Sequence, residues 1–143
     1  PPYLAMVQDA IDSRELDSQV KILGSLSHSE LPRYYKKCDA VVYASSCENF
    51  PNILVESMAS GKPILSSSTG PMSEILGDAG IYFDEKDSSS IVSAVNQFIS
   101  LDSGERVALA EKSKDRSKKF TWTDTFNKTN KVLVSTLIKA DNN

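Results

Sequence analysis

Short, continuously apolar runs alternate along this chain with stretches in which apolar residues recur every three or four positions. The run Ala40-Val41-Val42-Tyr43-Ala44 is the clearest of the first kind. A half-exposed strand would alternate apolar and polar residues, so an unbroken run suits a parallel strand covered on both faces. Val20, Ile22 and Leu23, closed by Gly24, read as a strand over residues 20–23. Pro63-Ile64-Leu65 opens another, and Ile81-Tyr82-Phe83 a further one.

Between these runs the spacing becomes helical. Leu4, Val7 and Ile11 mark a first helix, and Ser29 is a candidate N-cap for a short helix over residues 31–37. Ile53, Leu54 and Met58 mark the next, with Pro51 suited to its first position and Gly61 to its stop. A helical turn is expected near Glu74-Ile75-Leu76. Ser88 or Ser89 would cap a helix carrying Ile91, Val95, Phe98 and Ile99, and two more helices are expected over residues 105–119 and 123–139. Strands alternating with helices imply right-handed crossovers and an α/β fold: a Rossmann-like parallel sheet of about four strands flanked by helices, followed by C-terminal helices. In such sheets ligands bind beyond the carboxyl ends of the strands, which directs attention to the loops after Leu23, Ala44 and Leu65.

A chain of 143 residues, 40% of them hydrophobic, is long enough for one core, and a single domain is expected over residues 1–143. The net charge of −3 gives no basic footprint, so a nucleic-acid partner is not expected. Much of the positive charge lies over residues 112–119, a pattern of a solvated helix face or of a surface touching anionic lipid. Cys38 and Cys47 form no C-x-x-C, and with His28 the only histidine no metal site and no nucleophile–histidine–acid set can be assembled. No G-x-G-x-x-G follows a strand, which argues against a dinucleotide cofactor. Unpaired cysteines and the lack of a spanning segment or signal peptide point to the cytoplasm. The start at Pro1-Pro2 suggests a piece of a longer protein.

The chemistry is concentrated in Glu48-Asn49-Phe50-Pro51-Asn52-Ile53-Leu54-Val55-Glu56. One carboxylate sits in the loop after a strand and a second about one turn inside the following helix. The amides of Asn52, Ile53 and Leu54 at the helix start have no intrahelical acceptors, and with the helix dipole they favour an anion such as a diphosphate. Helical side chains lean toward the N-terminus, so Glu56 can reach back to a pair of vicinal hydroxyls such as those of a ribose. Glu48 would then lie near whatever the diphosphate carries. Taken alone, two glutamates around a helix start also describe an ordinary solvated surface.

This stretch, continued by Ser57-Met58-Ala59-Ser60-Gly61-Lys62-Pro63, resembles the E-x7-E motif of retaining GT-B glycosyltransferases of the family 4 type. There it usually reads E-x-F-G-x-x-x-x-E-A-M-A-x-G-x-P-V. Residues 20–24 resemble that family's V-x-F-L-G strand, and residues 31–44 its L-x-x-Y-x-x-A-D segment. Glu74-Ile75-Leu76-Gly77-Asp78-Ala79-Gly80 is similar to the E-I-x-G-D-A-G of bacterial polysaccharide and O-antigen members, and Phe120-Thr121-Trp122 to their F-S-W. Pro51 stands where Gly is commonest and Ser57 where Ala is usual.

The resemblance implies the C-terminal, donor-binding half of a GT-B fold, with residues 103–143 as its helical tail. The first βαβ unit, with its G-R-x-x-x-x-K-G clamp, and the N-terminal acceptor domain would lie outside this chain, which alone would be inactive. It implies a nucleoside-diphosphate sugar as donor, a glycan or lipid-linked acceptor, no cofactor and no metal. Glu56 matches the ribose ligand. Glu48 matches the carboxylate facing the donor sugar, placed in the catalytic set as a positioner and not as an acid or base. Asn52, Ile53 and Leu54 match the amides on the distal phosphate, with Asn49 and Phe50 beside them, and Gly24, Ser25 and Leu26 the loop packing on the base. Peripheral attachment at the inner face of a membrane is a further expectation for the whole enzyme. A non-catalytic nucleotide-binding module and, behind it, a nucleotide-sugar epimerase are the other readings. Ser45, Ser46 and residues 66–69 are ordinary turn residues or hydroxyl donors to a ligand. Glu74 reads as a helix-orienting residue, His28 as a surface residue, and Tyr34, Tyr35 and Trp122 as packing residues.

Overall fold

The computed structural model describes residues 2–141, with side chains to residue 137 in the last helix; Pro1 and residues 142 and 143 of the expected segments lie outside the described residues. The elements in order are α1 (Pro2–Asp12), α2 (Leu31–Lys37), β1 (Val41–Tyr43), α3 (Asn52–Ala59), β2 (Ile64–Ser67), α4 (Met72–Leu76), β3 (Ile81–Phe83), α5 (Ser88–Ser100), α6 (Ser103–Ser117) and α7 (Trp122–Asp141). The backbone divides into two compact units, Pro1–Leu31 and Pro32–Asn143.

In the first unit α1 buries Ile11 alone. The chain then folds back through turns in which Leu16 donates its N–H to the Ile11 carbonyl and Val20 to that of Leu16. The strand expected over residues 20–23 does not form. A strand exists only through a ladder, and these residues have no ladder partner among the described residues; Val20, Ile22 and Leu23 are 42%, 42% and 47% exposed. Apolar content proposes a strand, but pairing decides it.

The second unit holds a three-stranded parallel sheet in the order β1-β2-β3, one strand fewer than expected. Val42 pairs with Leu65, and Leu65 in turn with Ile81. The alternation of strand side chains divides the core in two. On one face Ile64, with Val41, Tyr43 and Tyr82, meets Leu54 and Met58 of α3 and Met72, Ile75 and Leu76 of α4. On the other, Leu65, Ile81 and Phe83 meet Ala94 and Phe98 of α5. Both faces of β2 are therefore covered, and all four of its residues are buried. Val42 of β1 is 52% exposed, because β1 is an edge strand and α5 packs on β3, two strands away.

Caps explain the helix bounds. Asp87, and not Ser88 or Ser89, caps α5 by accepting the Ser89 N–H. Asp102 and Glu105 close a capping box on α6, which starts before the expected Glu105. The short α4 ends at Gly77, whose φ of 59° an L side chain rarely adopts. Its last carbonyls are met from α6: the Arg116 guanidinium donates to the carbonyls of Ile75 and Glu74, each at 2.6 Å. A Cβ on Gly77 would stand 2.6 Å from the Arg116 Cζ, so besides straining the backbone it would push the guanidinium off these carbonyls. The segment Glu74-Ile75-Leu76-Gly77-Asp78-Ala79-Gly80 thus works as architecture. Lys112 of α6 reaches Asp78 at 2.6 Å, and the Tyr82 hydroxyl donates to the Gly77 carbonyl.

The basic run over residues 112–119 is the solvated helix face expected of it: Lys112, Lys114, Lys118 and Lys119 are exposed, and Arg116 alone is half-buried. Lys112 and Arg116 serve α4 and the turn after it, and Lys118 pairs with Asp115. Trp122, expected to pack, is 86% exposed at the start of α7. No helix among the described residues is long and apolar enough to cross a membrane.

Candidate functional site

The loop between β1 and α3 gathers the chemistry-bearing residues at the carboxyl end of the sheet. β1 ends at Tyr43, whose hydroxyl donates to Glu48 Oε1 at 2.7 Å; the Ser45 hydroxyl donates to the same oxygen at 2.7 Å. The Ser45 carbonyl in turn accepts from Ser67 Oγ at 2.6 Å, which ties the loop to the end of β2. Glu48 is therefore a half-buried carboxylate held by a strand end and its own loop. Hydrogen bonds to an ionised carboxylate favour that form, and the Tyr43 hydroxyl, then that of Ser45, hold the Glu48 carboxyl below the usual glutamate range. The effect is mutual. Burial first, then the hydrogen bond and charge of Glu48, push the Tyr43 phenol up to about 12.

Pro51 is buried and has φ −81° and ψ 78°, the geometry of an inverse γ-turn. It is the N-cap of α3 and not its first helical residue, one position earlier in role than its fixed φ suggested. The turn has a consequence for the amides. Asn52 donates its N–H back to the Phe50 carbonyl at 3.0 Å, and Val55 donates to that of Pro51. The amides of Ile53 and Leu54 meet no acceptor among the described residues. Two N–H groups, and not the expected three, are thus open at the positive end of the helix, where an anion is favoured. Glu56 lies one turn further along α3 and is half-buried.

The remaining expected residues fall in two groups. Asn49 and Phe50 are exposed in the same loop, and the Phe50 ring meets Phe120 edge-on with centroids 6.0 Å apart. Gly24, Ser25 and Leu26 belong to the first unit, where Gly24 has φ 68° and Gly24 and Ser25 are exposed. His28 is exposed in the same segment. Ser66 and Ser67 end β2, buried and bonded within the protein, so of the serine and threonine cluster over residues 66–69 only Ser68 and Thr69 present exposed side chains. Thr69 donates to Glu85 at 2.7 Å. No group of histidine, cysteine and carboxylate side chains among the described residues could hold a metal ion.

Tyr43 and Phe120 were not marked for the site by sequence. Ser45 had a signal: Ser-x-x-Glu spacing lets a glutamate fold back on a serine three residues earlier, and it occurs twice. Glu48 accepts from Ser45, and Glu30 from both the N–H and the hydroxyl of Ser27. Tyr35, expected to pack, does so with a bond: the Ser57 hydroxyl gives its proton to the Ile53 carbonyl at 2.7 Å, so Tyr35 donates to Ser57 Oγ at 3.2 Å. Ser57 is fully buried, and these two bonds satisfy its hydroxyl.

A parallel sheet whose central strand is covered on both faces, with a carboxylate-bearing loop and an amide-presenting helix start at its carboxyl end, is the layout of a Rossmann-like domain. The chain belongs to the glycosyl transferases group 1 family, whose model matches residues 1–116. It is 30% identical over 107 residues to an uncharacterised glycosyltransferase of Methanocaldococcus jannaschii, covering 73% of this chain and 30% of that protein. It is 30% identical over 103 residues to the O-antigen chain mannosyltransferase B of Escherichia coli, covering 72% of this chain and 27% of the relative. The chain therefore spans less than a third of the length of these relatives. Anabaena HepE, solved in complex with UDP and glucose, superposes with a TM-score of 0.80 at 23% identity over 94% of this chain and 37% of that one. The fold is that of the C-terminal domain of GT-B glycosyltransferases.

Proposed function

We propose that this chain is the donor-binding part of a retaining glycosyltransferase that moves a sugar from a nucleoside diphosphate to a glycan or lipid-linked acceptor. One observation carries the reading: the start of α3 presents the open amides of Ile53 and Leu54 between two glutamates, Glu48 and Glu56. The amides and the helix dipole meet the diphosphate, whose negative charge grows as the sugar leaves. Glu56 accepts from the ribose hydroxyls. Glu48, in the loop before the helix, takes hydroxyls of the transferred sugar. The reading assigns neither glutamate an acid–base role and calls for no metal. That HepE was solved with UDP and glucose supports a uridine nucleotide as the first donor to test. The chain spans 30% and 27% of two relatives, so the acceptor and further contacts to the phosphates belong to the rest of the protein. By itself the chain is expected to bind donor and transfer nothing.

The test is saturation-transfer NMR on the chain with UDP, GDP, ADP and their sugars, repeated on Glu56→Gln. One nucleotide should give transfer that is weakened by the substitution, because a charged acceptor is replaced by a neutral one of about half the strength. A 2′,3′-dideoxy nucleotide should be nearly indifferent to it. If Glu56→Gln weakens both nucleotides equally, the ribose assignment falls. Turnover by the purified chain would refute the division of labour with the rest of the protein.

A further inference from the structure

We propose that Tyr43 and Ser45 are positioning residues for Glu48: together they hold one carboxylate oxygen, Oε1, and leave Oε2 for a hydroxyl of the transferred sugar. The proposal rests on the donor-site reading given above and assigns a cause to the behaviour of one of its residues. Both hydroxyls lie 2.7 Å from the same oxygen. A carboxylate oxygen has two lone-pair sites, so two O–H donors fill Oε1 and turn the carboxylate so that Oε2, which takes no hydrogen bond from the described residues, is the one left to accept.

The two donors are themselves fixed. Tyr43 is the last residue of β1, and its side chain packs against the core formed with α3 and α4. Ser45 is held through its carbonyl by Ser67 at the end of β2. Beyond Glu48 the loop carries Phe50, braced by Phe120, and buried Pro51. Glu48 is thus oriented before any ligand arrives, which lowers the ordering cost when a sugar binds. From β1 the titratable neighbour is the Tyr43 phenol, which stays neutral at ordinary pH; β2 contributes the non-titrating Ser67 through Ser45; Cys47 adjoins Glu48 in the loop, and α3 carries Glu56.

The experiment is a pH titration of the chain labelled with carboxyl-13C glutamate, in wild type, Tyr43→Phe and Ser45→Ala, paired with the affinities of UDP and UDP-glucose. Tyr43→Phe keeps the ring and removes one donor, and circular dichroism checks that the fold survives; Ser45→Ala removes the other donor independently. Glu48 should titrate below the usual glutamate range in wild type and shift upward in each variant. UDP-glucose should bind about three- to tenfold more weakly to Tyr43→Phe, the loss expected for one hydrogen bond, while UDP is unchanged. An unshifted Glu48 titration in both variants overturns the positioning role, as does an equal loss for UDP and UDP-glucose. If the titration shifts but Glu48→Ala leaves UDP-glucose binding untouched, the donor-site reading fails and the assignment of Oε2 fails with it. The shifted titration separates that failure from a failure of the network itself.

Discussion

Single atoms decide several positions in this protein. Ser113 is fully buried on α6 and its Oγ has no hydrogen-bond partner among the described residues. An unsatisfied buried hydroxyl is a cost, so Ser113→Ala should leave stability unchanged or raise it by about 1 kcal/mol, read from the midpoint of urea unfolding. The opposite sign is expected at Gly77. Its φ of 59° strains any L residue, and a Cβ would displace the Arg116 guanidinium, so Gly77→Ala should cost roughly 2 kcal/mol. A sequence shows that Gly77 is a glycine and Ser113 a serine. It does not show that one is crowded by a guanidinium from forty residues away and the other is stranded. The pairing of Ser45 with Glu48 was legible in the spacing, whereas that of Tyr43 with the same carboxylate depends on where the loop returns.

Among the elements, α4 is the most dependent on its neighbours. Five residues make a poor helix on their own, because a single turn orders several residues for few hydrogen bonds. Arg116 compensates by donating to the carbonyls of Ile75 and Glu74. Arg116→Ala should therefore lower stability by about 2 kcal/mol, with Arg116→Lys recovering only part because an ammonium cannot reproduce the fork. Paired urea titrations of the two variants check this. The start of α3 is the counterpart at the functional end. Its amide inventory was read from sequence as Asn52, Ile53 and Leu54, but the γ-turn at Pro51 spends the first of them on Phe50. Helical periodicity locates a helix to within a residue or two; the backbone angles of the residue before it decide which N–H groups point outward.

At the scale of the molecule, stability is unevenly spread. β2 is buried throughout and α3 contributes Leu54 and Met58 to the core, while every described side chain of α7, from Trp122 to Leu137, is exposed. Amide hydrogen exchange should therefore be slowest in β2 and α3 and fast along α7. Truncation after Thr121 should change the unfolding free energy of the second unit by less than about 0.5 kcal/mol, as for surface changes in general. A loss of several times that amount would show that α7 packs in solution. What the sequence determined by itself was the kind of fold and the address of the site. Unbroken apolar runs, helical spacing and two glutamates around a helix start are local patterns, and local patterns survive without knowledge of the rest of the chain. The tertiary structure alone decided which apolar segment becomes a strand, because residues 20–23, apolar but for Lys21, and residues 41–43 both have the content of a strand and only the second finds a ladder among the described residues. It also decided which oxygen of Glu48 is engaged, since Tyr43 reaches that carboxylate from a strand end and Ser45 from a loop that Ser67 holds by its carbonyl, and no spacing in one dimension brings the ends of two strands to one loop.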